Sequence, residues 1–176
     1  PNGGVEATAK LNAVGYGDTV VTFTANVGGV AKTIEKLVSV PAPIHVLSGS
    51  VNMVQSKRDV EIVFTNLDNN TTTTVYGTYA DAYAFSVSLP EAVNGYSVTA
   101  YTIGHTRYTK TFFKPLSDIS DLALLTYAGD TNADGIINII DIAGVISNFG
   151  TAPSNSAYDL NGDTTVETND IGIIIG

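Results

Sequence analysis

Residues 130–141 read DTNADGIINIID and residues 159–170 read DLNGDTTVETND, so the chain repeats a twelve-residue pattern with an offset of 29. Both copies have Asp at positions 1, 5 and 12 and Asn at position 3. Polar turns also favour Asp and Asn, because these side chains bond to the nearby backbone. Two copies in register, in a stretch without Lys or Arg, instead indicate a pair of cation-binding loops.

The spacing of the oxygen-bearing residues matches what calcium requires. Calcium takes six to eight oxygen ligands at about 2.3–2.6 Å, and a twelve-residue loop supplies them from positions 1, 3, 5, 7, 9 and 12, with a backbone carbonyl at position 7. We therefore predict two Ca2+ ions. The predicted ligands are Asp130, Asn132, Asp134, the Ile136 carbonyl, Asn138 and Asp141 in the first loop, and Asp159, Asn161, Asp163, the Thr165 carbonyl, Glu167 and Asp170 in the second. Position 8 is apolar in both loops (Ile137 and Val166), so we expect the loops to pair back to back there.

Charge is concentrated in this part of the chain. The chain has 8 basic and 17 acidic residues and a net charge of −9. All basic residues lie at or before Lys114, where eight acids balance them, so the other 17 − 8 = 9 acids give the last 62 residues all of the net charge. Nucleic-acid binding needs a basic face, and neither the part of the chain up to Lys114 nor the part after it has an excess of basic residues. The charge distribution therefore excludes a nucleic-acid partner.

The remaining composition excludes several classes of site. The chain has no Cys, so it has neither disulfides nor thiolate metal sites. No stretch reaches the roughly 18–20 apolar residues of a membrane span, so we expect no membrane insertion. The opening Pro1-Asn2-Gly3-Gly4 is typical of the start of an excised fragment.

The first two thirds of the chain have the period-two alternation of β-strands. We predict a β-rich segment at 1–43, which is either the end of an immunoglobulin-like domain or a set of extra strands that pack on the next module. Residues 44–116 predict a small antiparallel sandwich, because apolar residues alternate through 60–64, 83–89 and 96–100 and turn signals separate the runs.

Helical periodicity follows each acidic loop. Apolar residues recur at helical spacing after the first loop, which predicts a helix with Ile142, Val145, Ile146 and Phe149 on one face. The second copy ends at Gly176 without a counterpart of Asn148-Phe149-Gly150, so we expect its helix to be truncated. Residues 117–128 contain Leu122, Leu124 and Leu125 and are predicted to be a docked connector.

The order of calcium loop, helix, connector, calcium loop and helix, with no helix before the first loop, resembles the dockerin family over about residues 128–176. The β module before it resembles the X module that precedes type II dockerins in cellulosome scaffoldins. That likeness rests on Ser48-Gly49-Ser50-Val51, on Tyr83-Ala84-Phe85 and on the order of the modules.

The resemblance implies a fold and a function. It implies a mainly β part with an immunoglobulin-like or prealbumin-like antiparallel sandwich, followed at 129–176 by a small α dockerin with two calcium loop-helix motifs. It also implies a non-catalytic, calcium-dependent adhesion module that binds a type II-like cohesin of a scaffoldin or of a cell-surface anchoring protein. Such modules assemble extracellular polysaccharide-degrading complexes, so the resemblance implies a secreted or cell-surface location in a bacterium.

The resemblance further implies which residues bind the partner. Dockerins recognise cohesins around loop positions 10 and 11 and along the following helix, which implies the residues Ile139, Ile140, Ala143, Ile146, Ser147, Thr168 and Asn169. The apolar pair in the first copy favours a type II-like interface, although Ile140 could instead pack in the dockerin core. Thr164 departs from the family pattern, because it stands at loop position 6, where the sharp turn favours Gly.

Two other functions stay open at the level of sequence. The chain could be the C-terminal fragment of a glycoside hydrolase that bears a dockerin, although it contains no nucleophile or catalytic-metal motif. The β module could instead bind carbohydrate through exposed tyrosines, of which the candidates are Tyr76, Tyr79, Tyr83, Tyr96, Tyr101 and Tyr108.

Overall fold

The computed structural model describes residues 10–53, 56–112, 114–151 and 157–176. The predicted fragment start at Pro1-Asn2-Gly3-Gly4 lies outside the described residues. The chain divides into two compact units, residues 1–43 and residues 44–176. No helix among the described residues is long and apolar enough to cross a membrane.

The described part of the first unit contains an antiparallel hairpin. Strand β1 (Gly17–Val27) pairs with strand β2 (Val30–Val40) along their whole length. Gly28 and Gly29 form the two-residue turn with φ of 60° and 82°, as a right-twisted hairpin requires. Phe23 lies opposite Ile34, and both side chains are exposed.

The second unit contains a seven-stranded sandwich, which confirms the predicted fold class. One sheet has the order β6-β3-β9 and the other has the order β5-β4-β7-β8. The strands are β3 (Ile44–Met53), β4 (Val60–Asn66), β5 (Thr72–Gly77), β6 (Ala84–Pro90), β7 (Tyr96–Tyr101), β8 (Tyr108–Phe112) and β9 (Ile119–Thr126). A short 3-10 turn, Tyr79–Asp81, connects β5 to β6.

The core of the sandwich lies between the two sheets. The alternating residues that the sequence predicted to share a face are buried, and Phe64 packs on Phe85 with ring centroids 6.0 Å apart. Their outward neighbours along β6 are exposed. The core comprises Leu47, Val51, Met53, Val60, Ile62, Phe64, Tyr83, Phe85, Val87, Leu89, Ala92, Tyr96, Val98, Ala100, Leu122 and Leu124.

The segment predicted as a connector contains the last strand of the sandwich. Strand β9 pairs with β3 in parallel, so this sheet is mixed. The sequence had predicted a wholly antiparallel sandwich. The ladder passes an irregularity at Gly49, where a Cβ atom would lie 1.9 Å from the carbonyl oxygen of Leu122. Only glycine fits at this close approach, because any side chain would overlap the neighbouring backbone.

Two short helices follow the acidic loops. Helix α1 spans Ile139–Ser147 and helix α2 spans Thr168–Ile175, so both begin inside the twelve-residue pattern. The apolar face of α1 is buried only in part. Val145 is fully buried, whereas Ile146 and Phe149 are 53% and 43% exposed. Periodicity locates the apolar face of a helix, but it does not determine whether the same chain covers that face.

Candidate calcium loops and binding face

The first loop is organised by its own acidic and amide side chains. The two carboxylate oxygens of Asp130 accept the backbone N–H groups of Asp134 and Gly135, at 3.1 and 3.0 Å. Asn132 Oδ1 accepts the same Asp134 N–H at 2.9 Å, and its amide donates to Asp134 Oδ2 at 2.8 Å. Asp134 Oδ1 then accepts the N–H of Ile136 at 2.8 Å. The backbone therefore curls around the side chains of positions 1, 3 and 5.

Asp141 joins the end of the first loop to its beginning. It is fully buried, and its Oδ1 accepts the N–H of Thr131 at 2.9 Å while its Oδ2 accepts that of Asn138 at 2.8 Å. Burial raises the pKa of Asp141, but hydrogen bonds from the backbone of Asn138, Thr131 and Asn132 outweigh it and lower the pKa below its usual value. Asp141 is therefore an anion, and it also caps α1 together with Asn138.

The second loop repeats this network residue by residue at the same offset. Asp159 accepts the N–H groups of Asp163 and Thr164, both at 3.1 Å. Asp170 Oδ1 accepts the Leu160 N–H at 2.7 Å, and its Oδ2 accepts the Glu167 N–H at 2.8 Å. The structure thus brings each predicted set of side chains into a single loop.

The donor set of each loop fits calcium. Across the part of the chain that the structure describes, no three His, Cys, Asp or Glu side chains lie close enough together to hold a metal by themselves. Each loop instead combines carboxylates with an Asn amide oxygen and backbone carbonyls, the mixture of oxygen ligands that calcium prefers. The carboxylate oxygens that accept backbone N–H groups keep further lone pairs for a cation.

Both loops require left-handed backbone at positions 4 and 6. Ala133 and Gly135 have φ of 59° and 85° in the first loop, and Gly162 and Thr164 have φ of 71° and 81° in the second. Each loop therefore places glycine at only one of the two positions. The sequence predicted the strain at Thr164 but not that at Ala133. A β-branched residue is the less tolerated of the two at positive φ.

The backbone of the second loop pairs with the end of the first motif, and the predicted back-to-back packing of the loops at position 8 stays a prediction. Val166 is buried, but its backbone pairs with the end of the first motif, not with Ile137. Its carbonyl accepts the N–H of Gly150 at 3.0 Å, and its N–H donates to the carbonyl of Thr151 at 3.2 Å. The apolar residue at position 8 thus ties the second loop to the chain that leaves α1.

The β7–β8 loop of the sandwich contacts the acidic loops. The N–H of Gly129 donates to the carbonyl of Gly104 at 2.8 Å, and His105 bridges to Ala128. Gly104 has a φ of 77°, and a Cβ atom there would lie 2.7 Å from the carbonyl oxygen of Ala157. This contact could not be predicted from the sequence, because a single glycine in a polar loop has many explanations.

Arg58 and His105 were also missed as neighbours of the loops. The Arg58 guanidinium donates to the Asp159 carbonyl from Nη2 at 2.7 Å and from Nε at 3.2 Å, and Nη2 lies 3.4 Å from Asp159 Oδ2. His105 is 1% exposed, and burial followed by the charge of Arg58 lowers its pKa to about 4. It is therefore neutral at pH 7 and resembles a core residue more than a catalytic one.

The residues predicted to bind a partner lie on the surface. Ile139, Ile140 and Ile146 are 72%, 61% and 53% exposed. The alternative that Ile140 packs in the core is therefore wrong. The polar or small members of the set, Ala143, Ser147, Thr168 and Asn169, are exposed as well. Helix α1 thus presents large apolar side chains to solvent, and such a patch is typical of a binding face.

Comparison with known proteins agrees with this geometry. Residues 128–176 match the family model described as Dockerin type I domain. The chain resembles a chain in a crystal structure of a type II cohesin-X-dockerin complex from Acetivibrio cellulolyticus, an N-terminal interface mutant. That likeness has a TM-score of 0.54 and 21% identity over 74% of this chain and 93% of that one.

A C-terminal interface mutant of the same kind of complex gives a TM-score of 0.53 and 16% identity over the same shares. No curated protein matches the chain. The dockerin match covers the two acidic loops and both helices, while the structural likeness extends well beyond it. Residues 128–176 are therefore similar to the dockerin type I family, and the chain shares the fold of X-dockerin structures.

Proposed function

We propose that this chain is a calcium-dependent dockerin braced by an X module, and that it binds a cohesin domain to assemble or anchor an extracellular polysaccharide-degrading complex. The observation that carries the proposal is the loop network that recurs 29 residues later with the same hydrogen-bond partners. The family match and the complexes to which the chain is similar support it. The module itself is non-catalytic in this proposal, and it acts outside the cell.

The buried charges of the loops favour two Ca2+ ions, one in each loop. Asp130, Asp141, Asp159 and Asp170 are at most 3% exposed. A buried carboxylate is costly unless a cation or hydrogen bonds offset its charge. We propose that the twelve predicted oxygen ligands hold these ions, with the four buried carboxylates at their core.

Calcium stoichiometry tests this part of the proposal. Equilibrium dialysis should give two ions per chain, one in an Asp130→Ala variant and two in the control Glu61→Gln, which removes an exposed carboxylate of the sandwich. A chelator should abolish the helical circular dichroism of α1, because metal binding contributes to the folding free energy of so small a module. Full helicity in chelator would contradict the proposal.

The exposed isoleucines of α1 are the proposed anchors for the cohesin. Residues 139 and 140 are Ile in the first copy, whereas their counterparts are Thr168 and Asn169. A 180° rotation that exchanges the two copies would therefore present polar residues to a partner surface that buries the two isoleucines. Loss of one well-buried Ile costs roughly 1.5–3 kcal/mol, or about tenfold to a hundredfold in affinity. We therefore propose one dominant orientation, led by α1.

Titration calorimetry against type I and type II cohesins tests the binding face. Ile139→Asp should weaken binding sharply and Thr168→Asp should weaken it less, and the apolar anchors favour a type II partner. The family model that matches is nevertheless the type I dockerin, so both classes belong in the panel. Equal losses from the two variants would show that the difference between the copies does not select the orientation.

The sandwich is proposed to act as a structural brace. We place its boundary at 44–126, because β9 belongs to it, and the dockerin at 127–176, with 1–43 as a separate β segment. Deleting the sandwich should lower both the melting temperature and the affinity for the cohesin. A sugar-binding role has little support, because Tyr83 and Tyr96 are core residues and only Tyr76 and Tyr79 among the candidates have large exposed areas.

A further inference from the structure

One cation of the sandwich reaches into the second acidic loop. Arg58 lies between β3 and β4, and its guanidinium contacts both the carbonyl and the carboxylate of Asp159, which opens the second loop. The two side chains are 15% and 4% exposed, so water screens the interaction poorly. The contact joins residues 101 positions apart and links the sandwich directly to a proposed calcium ligand.

The backbone that presents Arg58 is held on both sides. The Arg58 N–H donates to Ser56 Oγ at 3.2 Å, and the buried Tyr83 hydroxyl donates to the Ser56 carbonyl. On the other side, the Asp59 carbonyl accepts the Thr102 hydroxyl at 2.9 Å. The backbone of Arg58 is therefore held in place, so the side chain loses less conformational freedom on binding Asp159 than it would from a mobile loop.

Within the described ranges, the first loop has no equivalent cation. Arg107 and Asp130 line the same cavity, but the Arg107 guanidinium lies over the ring of Tyr101, 4.5 Å from its centre. Among the described residues, no Lys or Arg nitrogen lies within 4.0 Å of an Asp130 carboxylate oxygen. The two loops thus share their internal hydrogen bonds but differ in the charge that the sandwich supplies.

We propose that Arg58 stands in for part of the calcium charge at the second loop and keeps this loop formed when calcium is absent. Calcium and the guanidinium share the Asp159 carboxylate, and their like charges repel each other. Arg58 therefore lowers the gain in stability that calcium gives to the second loop. This inference rests on the proposed calcium sites, and it makes the first loop the calcium-dependent half of the module.

Hydrogen exchange in chelator tests the inference at two equivalent amides. The Thr164 N–H donates to Asp159 Oδ2, and the Gly135 N–H donates to Asp130 Oδ2, at 3.1 and 3.0 Å. In the calcium-free wild type, Thr164 should be protected roughly tenfold to a hundredfold more than Gly135, since hydrogen bonds to charged groups contribute about 1.5–3 kcal/mol. Arg58→Met should remove this excess. Lys57→Met deletes a neighbouring exposed cation and should preserve it.

Thermal unfolding of the same variants separates coupling from simple destabilisation. The melting temperature of Arg58→Met should fall below that of Lys57→Met in chelator, and calcium should close more than half of that gap. An equal gap with and without calcium, or equal protection of the two wild-type amides, would overturn the inference. If the wild type binds no calcium in dialysis, the proposed function fails as well. Two bound ions with an unchanged gap would overturn only the role of Arg58.

Discussion

Replacing Thr164 with glycine should stabilise the protein, although the change deletes a side chain. Thr164 has a φ of 81°, and its side chain is exposed, so glycine relieves backbone strain without removing buried contacts. An L-residue in the left-handed region costs about 1–2 kcal/mol. Glycine also makes the unfolded chain more flexible, which lowers the stabilisation by about 0.4–1 kcal/mol. The net gain is about 1 kcal/mol, or about 2–4 °C in melting temperature for a chain of this size.

Two substitutions in the first loop serve as matched controls. Gly135→Thr places at position 6 of the first loop the residue that the second loop has there. It should cost about 1 kcal/mol, because a Cβ atom at Gly135 meets no heavy atom within 4 Å and the penalty is therefore conformational. Ala133→Gly relieves strain at φ 59° without removing a β-branched residue, so its gain should be smaller.

Thermal unfolding in saturating calcium measures these changes, and calorimetric calcium titration reports whether Thr164→Gly tightens the second site. The strain argument predicts the order Thr164→Gly, Ala133→Gly, wild type and Gly135→Thr, from most to least stable. An unchanged or lower melting temperature for Thr164→Gly would refute the argument. A Gly135→Thr variant as stable as the wild type would do the same, because it would show that the loop tolerates side chains at position 6.

Three further predictions concern the sandwich and its junction with the loops. The pKa of His105 is lowered to about 4, so between about pH 6.5 and 4 this side chain is protonated in the unfolded chain but not in the folded one. The free energy of unfolding should therefore fall by about 3 kcal/mol as the pH drops from 6.5 to 4. Denaturant titrations of His105→Gln should lack that component of the pH dependence. Gly49→Ala should unfold the sandwich or cost more than about 3 kcal/mol, since its Cβ would overlap the Leu122 carbonyl, and the soluble yield and melting temperature will report it. Gly104→Ala should lower the melting temperature and weaken cohesin binding, because its Cβ would collide with Ala157 and push the loops away from the sandwich. An unchanged affinity would contradict the proposed bracing role of the sandwich.

Local patterns predicted the acidic loops and most of the sandwich. Each acidic loop lies within twelve consecutive residues, so the spacing alone predicted which side chains share a loop, among them Asp130 and Asp141. The alternating residues of β4, β6 and β7 also fall where period two places them. The ligand roles of the loop residues stay predictions.

Contacts between segments far apart in the chain could not be predicted from the sequence. Strand β9 looked like a connector because its partner, β3, lies some seventy positions earlier, and parallel pairing leaves no turn signal between the two strands. Arg58 was one of eight cations with nothing to mark it, since its acceptor follows 101 residues later. The exposure of the apolar residues of α1 could not be read from their spacing, because the spacing is the same whether this chain or another protein covers them.

The parallel pairing of β3 and β9 sets how the second unit responds to mechanical force. Strand β3 begins the unit at Ile44, and β9 ends at Thr126, from which the chain passes directly to the first loop at Asp130. In a parallel pair, the start of one strand and the end of its neighbour lie at opposite ends of the ladder. Tension between residue 44 and the acidic loops therefore runs along these strands, and the hydrogen bonds from Leu47–Ile119 to Met53–Thr126 share the load in shear. A sheet loaded in this way does not open one bond at a time, which would suit the proposed role of anchoring an extracellular complex.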